Sequence, residues 1–244
     1  MTEAKLHVHT VTAANRSLYV RELEAMHRHR HVVFAEHMGW RALKSADGLD
    51  IDEFDTPHTV YFLTLDDNGV LRGSDRLNPT WRPHMLANLF PEFATQPIPK
   101  GPGVWEWSRH APGHPRWSET LNRYVRVLSS IALLEFALSR GAEGFTGILE
   151  SRAIPMAIKV GWKPRPLGLP VNYGEGEGVA CFCPADTSLL PRLRRIVQRE
   201  DAVTVELPAG LKARKPVELA LRLPASRAEA ASAAMIPMLT EAQP

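Results

Sequence analysis

Residues 104–149 read VWEWSRHAPGHPRWSETLNRYVRVLSSIALLEFALSRGAEGFTGIL, and this stretch decides the fold. Val104 to His110 is rich in aromatic and β-branched residues and predicts a strand. From Ser118 to Arg140, Leu121, Val125, Leu128, Ile131/Ala132, Leu134/Glu135 and Leu138 recur at helical steps, and Gly141 supplies the stop. Gly144 to Leu149 then predicts a short buried strand.

Working toward the N-terminus, Thr59 to Leu65 and Val70 to Leu77 are strand-like and separated by Asp-Asp-Asn-Gly, a strong hairpin signal. A short helix is expected around Met85 to Leu89, with a loop from Pro97 to Gly103. Ser17 to His37 predicts a helix, on which Leu23, Met26, Val33 and Phe34 form the apolar stripe and Gly39 marks the end. Arg30 falls on that stripe, and a guanidinium there needs a partner because an unpaired buried charge is costly. Toward the C-terminus, Ser151 to Lys159 predicts a helix ending at Gly161, and Gly178 to Cys183 a last apolar strand. This order predicts an α/β sandwich, a mixed central sheet flanked by helices. Residues 1–200 are expected to form the domain. Residues 201–244, where the pattern fades, are expected to be a loosely docked or mobile C-terminal extension.

The net charge of +2 is too small for the basic field of a nucleic-acid binder. No apolar run is long enough to span a membrane. Met1 to Thr10 carries Glu3, Lys5 and two histidines and lacks the apolar core of a signal peptide, so a cytoplasmic protein is expected. Cys181 and Cys183 would point the same way on a strand and are read as small buried residues. In HRHRH, only His27 and His31 share a helix face and no third ligand is evident, so no metal is expected. GEGEG (174–178) precedes a strand, not a helix, and is read as a turn.

Several runs, in order, resemble one family. MHRHRHVVFAEHMGW, with Arg30 and Phe34 four apart and Gly39-Trp40 following, resembles the first helix of the acyl-homoserine-lactone synthases, or autoinducer synthases. DEFD resembles their paired aspartates, GSDRLNPTWRPHMLANLFPEF their next strand and Pro-X-Met-Leu run, and VWEWSRH their Trp-Glu-X-Ser-Arg strand. The resemblance spans Leu18 to Asp186. It implies a GNAT-like three-layer sandwich and an acyltransferase. That enzyme would join an acyl group from a thioester to S-adenosylmethionine, close a lactone and release methylthioadenosine, making a quorum-sensing signal.

On that resemblance Glu106 is the base for the substrate ammonium, acting through a water, with Arg109 beside it as a catalytic residue. Arg30, Phe34, Trp40, Asp52, Asp55 and Arg76 are expected at the S-adenosylmethionine end. A network of three arginines with Asp52, Asp55 and Glu106 would satisfy itself in a cleft. Leu121, Val125, Leu128, Phe145, Thr146 and Ile148 are candidate walls of an acyl pocket, although each equally suits an ordinary core. In the family, a Thr or Ser near Phe145 to Leu149 accompanies 3-oxo acyl chains; Thr146 or Gly147 falls there. The departures are Asp75, which could compete for Arg76, and His110, which replaces an aromatic residue. The expected donor is an acyl group on acyl-carrier protein, with acyl-CoA as the alternative. Lys159, Lys163, Arg165, Arg192, Arg194 and Arg195 are candidates for docking an acidic carrier. No cofactor is expected beyond S-adenosylmethionine as substrate. The alternatives are a GNAT-like N-acyltransferase with another amine acceptor and a non-catalytic homologue.

Overall fold

The computed structural model describes residues 5–207. Its elements run β1 (Leu6–Val11), α1 (Val20–His31), β2 (Val60–Asp66), β3 (Leu71–Pro79), α2 (Met85–Asn88), β4 (Val104–Ala111), α3 (Glu119–Arg140), β5 (Gly144–Glu150), α4 (Ile154–Val160), β6 (Arg165–Pro166), β7 (Val171–Asn172), β8 (Glu177–Pro184), α5 (Leu190–Ile196) and β9 (Thr204–Val205). The strands form one mixed sheet in the order β6-β8-β5-β4-β3-β2-β1-β9, with β7 also paired to β8. Pairing is parallel at β4/β5 and β1/β9 and antiparallel elsewhere.

Local chemistry accounts for the long helix. The Ser118 side chain accepts the Leu121 N–H at its start, and Gly141 ends it with a φ of 65°. The apolar face of α3 packs on one side of the sheet. There Val125, Leu128, Ile131 and Leu134 meet Val60, Phe62, Leu77 and Phe145. On the other side Leu23 and Met26 of α1 pack on Tyr61, Leu63 and Leu65, and Leu86 of α2 packs with Phe90, Phe93 and Ala180. Alternate residues of β2 thus feed opposite layers, as the pleat requires. The result is the expected three-layer sandwich.

Three features differ from the sequence reading. Residues 6–11, noted only for lacking a leader, form β1, because a half-buried strand of alternating pattern needs only a sheet edge to join. The first helix changes character. After His31 it widens into a π-helical segment, Val32–His37, with the Met38 N–H bonded to the Val33 carbonyl. The sheet also continues past position 200: β9 pairs with β1, and Val203 is fully buried. The alanine-rich segment from Ala225 lies outside the described residues. Among those described, no helix is long and apolar enough to cross a membrane.

Candidate active site

The partner that Arg30 needs proves to be a cluster of three aspartates. Its Nε meets Asp50 at 2.9 Å, and its two terminal nitrogens meet Asp55 at 2.9 and 3.2 Å. Arg76 reaches Asp52 at 2.5 Å and Asp55 at 3.2 Å, while its Nε donates to Ser108 Oγ at 3.0 Å. Arg109 holds Asp50 at 2.9 Å and Asp52 at 2.8 Å. The Tyr61 hydroxyl donates to Asp55 at 2.8 Å. Three cations and three anions are therefore interlocked with almost no access to water. Burial pushes the Asp50 carboxyl up, but Arg109 and Arg30 outweigh it and bring it down to about 2. Asp55 is likewise held well below the usual range, burial being outweighed by Arg30 and Arg76.

A β-bulge brings Arg109 into this cluster. Ser74 pairs with Ala111 and Arg76 with Ser108, so two residues of β4 stand opposite Asp75 alone. Arg109 takes the unusual φ of 49°. In a regular strand Ser108 and Arg109 would face opposite ways; the bulge lets both meet the partners of Arg76. The same shift leaves His110 on the far face with Trp107. There Asp75 accepts from the Trp107 indole N–H at 2.9 Å, from Ser129 Oγ at 2.7 Å and from His110 Nδ1 at 2.5 Å. Asp75 thus points away from Arg76 and does not compete for it.

Glu106 stands apart from the ion cluster; Asp50 fills the place expected for it. Its two carboxylate oxygens accept the backbone N–H groups of Met85, at 3.0 Å, and Leu86, at 2.6 Å, at the start of α2. Burial raises its pKa, against the opposing effects of the Leu86 N–H bond, His84 and Arg76. Asn78 is its cross-strand partner. Arg76 Nη2, Asn78 Nδ2 and His84 Nε2 are buried without a hydrogen-bond partner among the described residues, so polar capacity is concentrated around this carboxylate.

A cavity of about 430 Å³ opens where β4 and β5 part. Their ladder covers only Val104–Glu106 against Gly144–Thr146. At the next step, a side chain on Gly147 would meet the Trp107 carbonyl at 2.4 Å, so only glycine allows the strands so close. Beyond it the strands bound a fork. On the α1 side the cavity is lined by Phe34, Trp40, Asp52, Glu53, Met85 and Arg109. On the α3 side it is lined by Trp107, His110, Ser130, Met156, Val160 and Trp162. Phe34 and Trp40 stack with centroids 5.2 Å apart, and the Arg109 guanidinium lies over Phe34 at 5.7 Å.

Of the residues expected at the site, Phe34, Trp40, Asp52, Arg109 and Ile148 are on the cavity wall. Arg30, Asp55 and Arg76 stand behind it in the ion cluster, and Glu106 lies beneath α2. Val125, Leu128 and Phe145 lie in the core under α3, with Leu121 packed at its margin. Thr146 is buried and turns its hydroxyl to the Cys181 carbonyl. Both cysteines are buried and unpaired, and burial raises their thiols to about 11 and about 12. Among the described residues no group of three His, Cys, Asp or Glu side chains could hold a metal. The sequence reading missed Asp50, two residues before the aspartate pair. Its signal was slight: another acidic residue just before the DEFD run. It also missed Ser108, His84 and Asn78.

A family model for autoinducer synthases matches residues 15–193. The isovaleryl-homoserine lactone synthase of Bradyrhizobium diazoefficiens is 36% identical over 164 residues, covering 67% of this chain and 73% of that protein. A solved CoA-dependent acyl-homoserine lactone synthase with MTA superposes with a TM-score of 0.78 at 29% identity, covering 85% of this chain and 96% of that one. The structure of that enzyme with SAM and isopentyl-CoA gives 0.76 at 28% identity, with the same coverage.

Proposed function

This chain belongs to the autoinducer synthase family, and from that premise we propose that it makes an N-acyl-homoserine lactone from S-adenosylmethionine and an acyl-CoA. The observation that carries the reading is a single cavity joining a charged half to an apolar half through the β4/β5 fork. A zwitterionic sulfonium amino acid suits the first half, and a fatty thioester suits the second.

In the charged half, Asp52 is placed to receive the substrate ammonium and Arg109 its carboxylate. The stacked rings of Phe34 and Trp40 offer a π surface for the sulfonium or the adenine. Arg30, Arg76, Asp50 and Asp55 hold these groups from behind, so little reorganisation is needed on binding. The freed amine attacks the thioester carbonyl. The new C–N bond forms and the C–S bond breaks; the nitrogen gives up two protons, one before the attack and one after it, and the second ends on the departing thiol. Glu106, with its raised pKa, takes the first proton through the polar groups clustered around it and passes it to solvent. In the second step the methionine carboxylate attacks its own γ-carbon and methylthioadenosine leaves. That step is intramolecular, so conformation governs it and no residue is assigned.

The similarity to CoA-dependent enzymes favours acyl-CoA over a carrier protein as donor. Surface chemistry agrees. Of the six basic residues considered for carrier docking, Lys163 is paired with Asp186 and Arg194 with Glu135. That surface offers an acidic partner less free charge than the sequence implies.

The test is incubation with S-adenosylmethionine and short acyl-CoA thioesters, with mass spectrometry of the products. A homoserine-lactone fragment together with methylthioadenosine is expected. Free CoA without methylthioadenosine would point to another amine acceptor, and neither product would point to a non-catalytic homologue. Glu106→Gln is expected to lower turnover about 10²–10⁴-fold. It also sets an amide NH₂ against a backbone N–H, so a stability loss of about 1–3 kcal/mol should accompany it. Native turnover in this variant would remove Glu106 as the base.

A further inference from the structure

The Asp75–His110 pair lies on the α3 side of β4, outside the roles assigned above. Asp75 is buried and binds three donors, two of which, Trp107 and His110, belong to the cavity wall. The His110 ring packs edge-on against Trp107 with centroids 4.9 Å apart, and its side chain is 37% exposed.

The anchor settles which atoms this wall presents. The Trp107 N–H is used by Asp75, and the Trp162 N–H is used by Ser130 Oγ at 3.1 Å. Both indoles therefore show the cavity their apolar rings. A carboxylate only accepts, so the imidazole proton bonded to Asp75 sits on Nδ1. In the neutral ring Nε2 then carries the lone pair, and no described residue occupies it. On the opposite side of the fork the acceptor that β5 brings to the cavity wall is the Glu150 carboxylate, which is engaged by Arg152. Thr146 is turned onto the Cys181 carbonyl, and Gly147 has no side chain.

We propose that His110, held by Asp75, is a specificity-determining residue that accepts a hydrogen bond from a hydroxyl on the acyl chain. The inference rests on the reading of the cavity as an acyl-transfer site. Asp75 acts as a positioning residue, fixing the imidazole and keeping the Trp107 ring flat against the chain. An apolar wall with one fixed acceptor discriminates for a hydroxyl, because an unsubstituted chain leaves the imidazole unpaired and a keto oxygen offers it no proton.

The test compares kcat/KM for 3-hydroxyhexanoyl-CoA, hexanoyl-CoA and 3-oxohexanoyl-CoA by thiol release in the presence of S-adenosylmethionine. The native chain is expected to favour the hydroxy donor about tenfold over each of the others. In His110→Phe the ratio should fall to about one. In Asp75→Asn it should fall partway, through a raised KM for the hydroxy donor. A ratio is independent of the fraction of folded protein. An unchanged preference in His110→Phe, or a native preference for the unsubstituted or keto donor, would overturn the proposal. Absence of thiol release with every donor would instead count against the proposed function. Quenching of tryptophan fluorescence by hydroxyhexanoyl-CoA against hexanoyl-CoA would then decide the His110 contact by itself: tighter hydroxy binding lost in His110→Phe supports it, and equal binding overturns it.

Discussion

The two faces of the β3–β4 pair are built on opposite principles. Toward α1, Arg76, Ser108 and Arg109 enter a cluster of three arginines and three aspartates. Toward α3, Asp75 keeps to one end with Trp107, Ser129 and His110, and Leu77 joins the apolar cluster with Leu128, Ile131 and Leu134. Dehydrating six charges is expensive, and an apolar cluster of the same volume often holds a fold equally well. The apolar face accounts for stability without further argument. The charged face makes sense as a prearranged polar site whose outer members, Asp52 and Arg109, border the cavity.

The sharpest way to break this contrast is Asp50→Ala. It takes a partner from Arg30 and Arg109 at once and leaves three buried cations to two anions, and a stability loss of about 3–5 kcal/mol is expected in urea unfolding. Methylthioadenosine release should be lost as well. Native stability would show that Asp52 and Asp55 satisfy all three arginines. On the apolar face, Leu134→Ala should cost about 2–5 kcal/mol while turnover per folded molecule stays near native. A parallel loss of turnover would mean that the two faces are coupled.

Acid titration separates Glu106 from the two aspartates by sign. Asp50 and Asp55 have folded pKa values below the ordinary 3.8, so their stabilising contribution is complete above that value. It is lost as pH falls toward the Asp50 value of about 2. Glu106 is shifted the other way, so its ionisation at neutral pH opposes folding, and that cost is relieved as pH falls through its raised value. Burial lowers the pKa of His27 and brings that of His29 down to about 4, so protonation below the ordinary 6.5 favours the unfolded chain; melting temperature should fall from mildly acidic pH onward, with Glu106 moderating the fall. A fall no steeper in Glu106→Gln than in the native chain would contradict the Glu106 assignment. The smallest effect belongs to Ser118→Ala, which removes the cap of α3 and should cost about 1 kcal/mol with no change in pH profile.

Much of this architecture was written locally. The period of α3, its Ser118 and Gly141 boundaries, the Asn68-Gly69 turn between β2 and β3, and the apolar runs of β5 and β8 all depend on near neighbours in the chain. The need of Arg30 for a buried partner was legible too, since one guanidinium on an apolar stripe cannot stay unpaired. Family motifs brought Asp52, Asp55, Arg76, Glu106 and Arg109 forward as a set.

What only the tertiary structure decided is where those side chains point. Asp50 became the bridge between two arginines because the loop before β2 folds under α1. Ser108 and Arg109 share a face because one residue bulges, which no alternating pattern announces. Leu121, Val125, Leu128 and Phe145 went to the core and Ile148 to the cavity, although sequence alone makes all five equally suitable walls. Identity sets the chemistry a residue can perform. Its partners come from segments tens of residues away, through packing and register that no local pattern encodes.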